Sequence, residues 1–391
     1  MVFDTAVIGG GAAGLYLASR LGGYDVLVLE EQGRVGKKLL ATGNGRCNMT
    51  FARPIRAGDY NTPAAERILA EIPPESVIAR FCELGLYTRT EEDRVYPYSM
   101  TSASVLDALR RGAATAGAHI LTATRVVRVV REKDGFVLEC DAGGEKRVYS
   151  ARTVVLATGS DAGSGRDSLS LYTDLGLTRR KFSPSLVPLL TDRESVKGLS
   201  GIRVRCEARL GGAVSRGEIL FRENGLSGIA ALDLSAEYAR GRVSEGAKIV
   251  LDLVPDRSEE QLAAEMSRAK TAGEALAGRF HTRVAERIAA RAGSEPGSPA
   301  DPRLLAHTAK YYELRFEGVR GKDAAQVMSG GLELGCFDSD LMAIAVPGAY
   351  AAGEALDVDG ICGGFNLQWA WASAEKVARA LTARFDAERK G

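Results

Sequence analysis

The sequence predicts an α/β fold in which both ends of the chain build one parallel-sheet domain and the middle forms an inserted domain. At the start, a strand, a glycine turn, a helix and a second strand follow one another within about 30 residues, the unit that forms parallel sheets. The 45 glycines of this 391-residue chain cluster near both ends, at 9–14, 33–45, 330–335 and 353–364. Short β-branched runs and then helical sequence fill the middle.

Apolar runs and helical spacing define the N-terminal elements. The first unit has a buried strand at 5–8, a helix at 12–21 and a second buried strand at 25–30. Three further helices are predicted at 63–71, 75–85 and 102–116. Strand-like segments follow at 120–130, 136–140, 147–149 and 153–157. The last of these strands ends in Thr158-Gly159.

The middle of the chain has a different pattern. The β-branched runs broken by glycines at 202–210, 213–221 and 247–253 indicate a small antiparallel barrel or sandwich. Residues 258–292 have helical spacing, and 293–302 is a loop rich in Pro and Gly. The predicted domain boundaries are therefore 1–189 for the first part of the end-built domain, 190–321 for the insert (barrel 190–255, helical part 256–321) and 322–391 for the second part.

The glycine turn at 9–14 satisfies G-x-G-x-x-G between a strand and a helix. Gly9 permits the tight turn, Gly11 allows the backbone to approach a pyrophosphate, and Gly14 allows the helix to pack on the strand. Glu30 ends the second strand, where its carboxylate can accept hydrogen bonds from an adenosine ribose. Glu31 is the alternative ribose contact. The pattern predicts dinucleotide binding.

The C-terminal glycine cluster favours FAD over NAD as the dinucleotide. Gly353-Glu354 ends a strand in a Gly-acid pair, and the segment GICGGFNLQ at 360–368 opens a helix. In FAD enzymes of the glutathione-reductase type, such a pair binds the ribitol and the helix end faces the flavin pyrimidine. We expect backbone N–H groups of Gly364, Phe365 and Asn366 to face flavin O2, where negative charge collects on reduction.

Five segments resemble the BaiN/YhiN flavoprotein family, whose members are FAD-containing oxidoreductases described as aminoacetone oxidase-like or as bile-acid ene reductases. The segments are GRVGKKLLATGNGRCNMT (33–50), DRVYPYSMTSASVLDAL (93–109), VVLATGS (154–160), GEILFRENGLSG (217–228) and PGAYAAGEALDVDGICGGFNLQWAWASA (347–374). The resemblance covers essentially the whole chain. It implies a Rossmann-like (glutathione-reductase-type) FAD-binding domain with an inserted β-barrel plus helical domain, and non-covalent FAD.

Carried over by position, the resemblance implies a set of cofactor-binding residues along the chain. They are Gly9, Gly11, Ala12, Ala13, Gly14, Glu30, Glu31, Lys38, Gly45, Arg46, Cys47, Val127, Ala157, Thr158, Gly159, Gly353, Glu354, Gly364, Asn366 and Leu367. Val126 fits the same adenine-contacting strand as Val127, so both remain open at this point. No catalytic residue and no metal ligand is assigned.

The sequence departs from the family pattern in the insert and after the strand at 153–157. Arg222-Glu223 stand where the family has Thr-His, and Ile229 stands where it has Pro. The family's Ser-Tyr-Pro and Gly-Asp-Gly stretch is replaced by the shorter segment 161–167. The family's substrate therefore does not carry over with its cofactor.

The spacing of the cysteines and histidines does not predict a metal site or a redox dithiol. Cys47 and Cys362 are expected close to the cofactor, where a thiol of low pKa could add to an electrophile or to flavin C4a. Ordinary packing is the interpretation that we favour for both. The three histidines lack metal-ligand spacing, and no two of the six cysteines form a C-x-x-C pair.

Charge and hydropathy exclude several classes of partner. Lys plus Arg number 51 against 50 Asp plus Glu, so the net charge of +1 does not favour nucleic acid. No stretch approaches the roughly 20 apolar residues of a membrane span. We therefore expect a cytoplasmic protein with a small-molecule substrate and no membrane or nucleic-acid partner. The oligomeric state is unspecified.

These observations predict an FAD-dependent oxidoreductase that transfers a hydride or electron pair through flavin N5, to or from a small organic substrate, in the manner of an amine oxidase or an ene reductase. No second G-x-G-x-x-G follows Gly14. NAD(P)H is thus at most a transient donor. The alternatives are a nucleic-acid-linked flavoprotein, such as a tRNA-modifying enzyme, and a non-catalytic FAD-binding protein.

Overall fold

The computed structural model describes residues 2–161 and 170–390, so most of the 161–167 segment lies outside the described residues. The chain divides into two compact units. One comprises Met1–Phe182 and Val327–Gly391, and the other comprises Ser183–Gln326. Each unit has its own hydrophobic core.

The strands of the described chain are β1 (Val2–Ile8), β2 (Val26–Leu29), β3 (Thr50–Phe51), β4 (Thr88–Glu91), β5 (Arg94–Pro97), β6 (His119–Leu121), β7 (Arg125–Glu132), β8 (Gly135–Ala142), β9 (Glu145–Leu156), β10 (Arg179–Ser185), β11 (Leu189–Thr191), β12 (Arg203–Leu210), β13 (Ala213–Arg222), β14 (Gly225–Ser227), β15 (Lys248–Asp252), β16 (Tyr312–Val319), β17 (Val327–Leu332) and β18 (Ala349–Ala351). The helices are α1 (Ala12–Arg20), α2 (Lys37–Ala41), α3 (Pro63–Glu71), α4 (Pro74–Glu83), α5 (Ser102–Thr115), α6 (Ser170–Thr173), α7 (Arg193–Val196), α8 (Ile229–Ala239), α9 (Glu259–Met266), α10 (Ala272–Leu276), α11 (Thr282–Arg291), α12 (Pro302–Lys310) and α13 (Phe365–Lys390).

The first unit is built on a seven-stranded sheet with the order β6-β2-β1-β9-β8-β7, and β18 also pairs with β9. β1 runs parallel to β2 and to β9, whereas β8 is antiparallel to both β7 and β9. All four residues of β2 are buried, as a central parallel strand requires. The predicted strands at 147–149 and 153–157 are one strand, β9, whose first half pairs with β8 and whose second half pairs with β1 and β18.

Helix α13 packs against α1 and joins the C-terminal end of the chain to this sheet. Trp369 and Trp371 are both buried in the core, so neither is available to stack on a substrate. The ring of Trp371 lies 5.7 Å from that of Tyr16 in α1 and 5.1 Å from that of Phe81 in α4. A small sheet, β3-β5-β4, and a two-stranded sheet, β10-β17, complete the unit.

The second unit contains a closed barrel with the order β11-β14-β13-β12-β15-β16. This confirms the predicted inserted β-barrel and the α/β class. The helical assignment of 256–321 is wrong at its end, because Tyr312–Val319 is the barrel strand β16. Its side chains alternate between buried and exposed, with Tyr312, Leu314 and Phe316 inside, which is the period of a strand.

The predicted helix at 258–292 is three helices. The side chain of Thr271 caps α10 by accepting from the N–H of Glu274, and the side chain of His281 caps α11 by accepting from the N–H of Arg283. Such caps begin new helices where helical spacing alone predicts continuity. Among the described residues, no helix combines the length and apolar character that a membrane crossing requires.

Candidate functional site

The turn between β1 and α1 shows a different requirement at each glycine. A Cβ on Gly9 would lie 2.3 Å from the carbonyl oxygen of Ala157, and a Cβ on Gly14 would lie 2.0 Å from that of Gly9. A Cβ on Gly11 would meet no described atom within 4 Å. Gly9 and Gly14 are thus needed by the fold, whereas Gly11 leaves open space beside the backbone.

Helix α1 starts at this open space. Gly11 occupies its N-cap, and the first intrahelical bond runs from the N–H of Leu15 to the carbonyl of Gly11. The N–H groups of Ala12, Ala13 and Gly14 therefore have no intrahelical partner. Unpaired N–H groups at the positive end of a helix form a binding site for a phosphate group.

Glu30 lies beside the same turn and is buried. One of its carboxylate oxygens accepts from the N–H of Gly10 and the other from the N–H of Gln32, both at 2.8 Å. Burial raises the pKa of Glu30, and the two backbone hydrogen bonds oppose that rise. Each oxygen keeps a lone pair for a ligand hydroxyl. Glu31 is exposed, and its carboxylate accepts only from the side chain of Gln32 among the described contacts.

The strand β7 has an irregularity that separates Val126 from Val127. Val126 pairs with Cys140 and Arg128 pairs with Glu139, so Val127 stands outside the β7–β8 ladder. Val127 is exposed and Val126 is buried. A bulge of this kind leaves the peptide groups of the extra residue unpaired. The N–H of Thr124, just before β7, donates to the carbonyl of Glu30 at 2.8 Å, which brings this strand to the Glu30 end of the site.

The C-terminal Gly-acid pair joins the N-terminal turn. A Cβ on Gly353 would lie 2.9 Å from that of Ala13. Glu354 forms an ion pair with Lys38, with Nζ 2.6 Å from Oε2, and Lys38 also donates to Ser160 Oγ at 3.2 Å. The other oxygen of Glu354 accepts from the N–H of Met328 at 3.0 Å. Residues more than 300 positions apart thus form one polar cluster.

Gly159 and Thr158 lie beside this cluster. A Cβ on Gly159 would lie 3.9 Å from Glu354 Oε2. The hydroxyl groups of Thr158 and Tyr172 form a short hydrogen bond. Ala157 is buried beneath the turn of Gly9.

Side chains of α13 hold the Gly-acid pair in place. The hydroxyl of Ser373 accepts from the N–H of Gly353 at 2.9 Å, and the indole N–H of Trp369 donates to the carbonyl of Gly353 at 3.0 Å. Both peptide groups of this glycine are therefore fixed by one helix.

The free N–H groups at the start of α13 are shifted by one residue from those that the sequence predicts. The N–H of Gln368 donates to the carbonyl of Gly364, which makes Gly364 the N-cap and leaves the N–H groups of Phe365, Asn366 and Leu367 without an intrahelical partner. The side-chain amide of Asn366 makes two hydrogen bonds of 2.9 Å with the peptide groups of Gly360. Asn366 therefore closes the glycine loop with its side chain and can offer only its backbone to a ligand.

Phe365 anchors this helix start. Its ring stacks on that of Phe51 with a centroid distance of 4.0 Å, and its carbonyl accepts from the hydroxyl of Tyr60 at 2.8 Å. The guanidinium of Arg53 lies 4.8 Å from the ring of Phe365 and forms a buried ion pair with Asp59 at 2.7 Å.

The predicted cofactor-binding residues in the segment after α2 differ in their exposure. Gly45 has a φ of 83° and open space beside it, and Arg46 is exposed, with its guanidinium 5.6 Å from the ring of Tyr96. Cys47 is fully buried with a φ of 57°. Asn48, which the sequence interpretation passed over, has a buried Oδ1 that finds no hydrogen-bond partner among the described residues. The G-x-G-R-C-N string contained Asn48, but no local rule separates it from its neighbours.

Burial raises the pKa of the Cys47 thiol to about 12, which favours ordinary packing over the thiolate chemistry that the sequence left open. A raised pKa disfavours the thiolate, which is the nucleophilic form of cysteine. We expect maleimide at pH 8 to label the exposed Cys82 and to leave Cys47 unmodified in the native protein, as read by peptide mass spectrometry. Labelling of both at equal rates would show that Cys47 is reachable, and denatured protein labelled at both is the control.

The polar groups of this unit do not form a metal centre: in the ranges that the structure describes, no group of three His, Cys, Asp or Glu side chains is placed to hold a metal ion.

Comparison with known proteins places this geometry in a family. The model of the HI0933-like protein Rossmann domain matches residues 3–380. A 3-dehydro-bile acid delta(4,6)-reductase of Clostridium scindens is 32% identical, over 97% of this chain and 98% of that protein. A ribosomal RNA dihydrouridine synthase of Escherichia coli is 27% identical, over 97% of this chain and 98% of that protein.

Among solved structures, a 3-ketosteroid delta1-dehydrogenase of Sterolibacterium denitrificans superposes with a TM-score of 0.55 at 13% identity, covering 98% of this chain and 100% of that one. This similarity confirms the Rossmann-type FAD-binding fold. Matched along nearly its whole length, the chain belongs to the HI0933-like family and is an FAD-dependent oxidoreductase, as its resemblance to the BaiN/YhiN flavoproteins implied.

Proposed function

We propose that the protein reduces a carbon–carbon double bond conjugated to a carbonyl group in a small polycyclic substrate. The observation that carries the proposal is the 32% identity, along nearly the whole chain, with a delta(4,6)-reductase of 3-dehydro-bile acids. The name of that relative describes double bonds at C4 and C6, in conjugation with an oxidised C3 position. The described residues support the cofactor half of this proposal, while the substrate half rests on the relative.

Features of the first unit support the assignment of the adenosine diphosphate half of FAD. The open space at Gly11 and the unpaired N–H groups that follow it fit a pyrophosphate. Glu30 fits the ribose hydroxyls. The unpaired peptide groups of Val127, rather than Val126, fit the donor and acceptor of the adenine edge.

The flavin half has its own support. Lys38 and Glu354 form a charged pair beside Gly159, where polar ribitol hydroxyls would find partners. The N–H groups at the start of α13 are donors at the positive end of a 26-residue helix. When bound, reduced FAD would supply a hydride from N5 to the carbon β to the carbonyl, and the α carbon would take its proton from water. The helix end stabilises negative charge at the flavin edge that it faces, which favours the reduced cofactor.

We further propose that NAD(P)H reduces the flavin. The docking of NAD(P)H is transient in this proposal, because the chain holds a single G-x-G-x-x-G. The competing route, in which an amine substrate reduces the flavin and oxygen reoxidises it, is an outcome of the same experiment.

The test begins with the purified protein, from which acid precipitation should release non-covalent FAD in near-equal molar amount. The holoprotein is then reduced anaerobically with NADH, NADPH or a small amine, and a 3-keto-4-ene steroid is added. Return of the visible absorption of oxidised flavin, with formation of the saturated ketone, supports the proposal. The matched control is the corresponding steroid with an isolated double bond, which should not react. Reoxidation by air alone, after reduction by the amine, would contradict it and indicate an oxidase.

A second candidate function is the reduction of uracil in RNA, favoured by the ribosomal RNA dihydrouridine synthase relatives. The C5–C6 double bond of uracil is also conjugated to a carbonyl, so the flavin chemistry would be shared. The net charge of +1 offers no general attraction to a phosphate backbone, which ranks this candidate second. Dihydrouridine formed in ribosomal RNA by the reduced protein, with no steroid reduction, would reverse the ranking.

Replacing Glu30 with alanine should weaken FAD binding by about 1–3 kcal/mol, the usual effect of removing one partner of a buried hydrogen-bonded contact. FAD affinity is measured by fluorescence titration of the apoprotein. Glu31→Ala is the control and should bind FAD as the unmodified protein does, because Glu31 is exposed. A loss confined to Glu31→Ala would transfer the ribose contact to Glu31. Thermal unfolding without FAD separates this effect from the loss of the Gly10 and Gln32 hydrogen bonds.

We propose that the insert, residues 190–321, selects the substrate, since the candidate FAD residues all lie outside it. Ile229, where the family has proline, is the first residue of α8, a position that accepts proline. Ile229→Pro should therefore keep FAD affinity and change KM for the substrate by several-fold. Equal KM values for a panel of enones in both proteins would contradict this role.

A further inference from the structure

Asn48 carries a polar group that the fold leaves unused. Its Oδ1 is buried, and no donor reaches it within the part of the chain that the structure describes. Native proteins satisfy nearly all buried polar atoms, and an exception calls for a ligand, an ion or a water. The position of this oxygen shows which of these would reach it.

The oxygen faces the start of α13. A Cβ on Gly364 would lie 2.9 Å from Asn48 Oδ1 and 2.6 Å from the carbonyl oxygen of Thr50. Gly364 has a φ of 95°, so the chain approaches Asn48 here with backbone alone.

The two residues that follow Asn48 are fixed to α13 by two buried hydrogen bonds. Thr50 Oγ1 donates to Gln368 Oε1 at 2.7 Å, and the indole N–H of Trp371 donates to the carbonyl of Met49 at 2.9 Å. The distance between Asn48 and the helix start is therefore set by the packing.

A ligand edge that fits this place has an acceptor next to a donor. The first N–H groups of α13 are donors and call for an acceptor, whereas Asn48 Oδ1 is an acceptor and calls for a donor. The pyrimidine ring of a flavin has this order, because its O2 carbonyl is adjacent to its N3–H.

We propose that Asn48 binds the flavin through its N3–H: Oδ1 accepts the hydrogen bond while the start of α13 faces O2. The nearby polar side chains are already engaged, since the amide of Asn366 is closed on Gly360 and the hydroxyl of Thr50 donates to Gln368. This inference rests on the FAD site of the proposed function and is independent of the substrate.

The test compares FAD with 3-methyl-FAD, in which a methyl group replaces the N3 hydrogen. Apoprotein of the wild type, of Asn48→Ala and of Asn48→Asp is titrated with each cofactor, and the ratio of the two dissociation constants is measured. The wild type should prefer FAD by roughly tenfold or more, the range for a buried acceptor that loses its donor. Asn48→Ala should lose most of that preference, because it lacks the acceptor and has room for the methyl group.

Asn48→Asp, which keeps an acceptor of the same length, should retain the preference. Because the preference is a ratio measured on one variant, a general loss of stability that weakens both cofactors leaves it unchanged. A wild type that binds both cofactors equally, or an Asn48→Ala protein with an undiminished preference, would overturn the proposal. If Asn48→Ala does not fold, a wild type that binds both cofactors equally still overturns the proposal. Neither titration involves turnover, so failure of enone reduction leaves this result interpretable.

Discussion

Replacing Gly14 with alanine should destabilise the first unit by roughly 3 kcal/mol or more, at the upper end of the usual range for overpacking. The new Cβ would lie 2.0 Å from the carbonyl oxygen of Gly9, and backbone cannot move aside as a flexible side chain can. Helix α1 would have to separate from β1, at the centre of the sheet. Thermal unfolding of the apoprotein measures the loss. An apoprotein as stable as the wild type would show that this contact can relax.

The matched comparison is Gly11→Ala, at a glycine three residues before Gly14 in the same motif. Its Cβ meets no described atom within 4 Å, so the apoprotein should unfold at the temperature of the wild type. A pyrophosphate that approaches the backbone at this point would meet the methyl group, and FAD affinity should fall by roughly 1–3 kcal/mol, as for an overpacked contact. Unchanged FAD affinity in Gly11→Ala would place the pyrophosphate elsewhere. The two variants together separate what the motif does for the fold from what it does for the cofactor.

Gly364→Val should lower the reduction potential of the bound flavin and destabilise the protein by roughly 2–5 kcal/mol, the sum of left-handed backbone strain and overpacking. The added side chain would meet the carbonyl of Thr50 at 2.6 Å and push the first turn of α13 away from Asn48. Donors that face the flavin edge would then be lost, while the adenosine half stays bound. A spectroelectrochemical titration measures the potential, with FAD affinity alongside.

The control for Gly364→Val is Gly23→Val, which has a similar φ of 85° but no described atom within 4 Å. It carries the backbone strain without the collision, so its stability should fall by only about 1–2 kcal/mol and its potential should not change. An unchanged potential in Gly364→Val, with FAD still bound, would show that the start of α13 does not control the flavin.

The sequence predicts the structure well where a pattern depends on residues that are close together in the chain. The strand, turn, helix and strand at the N-terminus come from spacing within 30 residues, and the structure has β1, α1 and β2 there. The choice between Val126 and Val127 needs the register against β8, which no local pattern contains. The sequence pattern does not separate strand β16 from helix α12, because the buried Tyr312, Leu314 and Phe316 of the strand follow directly on that helix.

The candidate site shows the same division. Gly14 and Glu30 have partners within one supersecondary unit, so the motif specifies them, whereas Gly9 is crowded by Ala157, just after the distant strand β9. The unsatisfied oxygen of Asn48 depends on packing against the start of α13, more than 300 residues later. Sequence identifies the neighbourhood of such residues, and only the tertiary packing assigns the role of each.

The pairing of β18 with β9 has a consequence for synthesis of the chain on the ribosome. One edge of Val154–Leu156 pairs with β1 as soon as β9 is made, but the other edge waits for Ala349–Ala351, roughly 190 residues later. At the usual elongation rate of about 5–20 residues per second, that interval is about 10–40 s. The nascent protein therefore carries an open, apolar strand edge throughout this time, which is a site for aggregation and for chaperones. A flavin site that includes the start of α13, as proposed above, would be complete only after translation has passed this helix, so cofactor loading would be a late event in the life of each molecule.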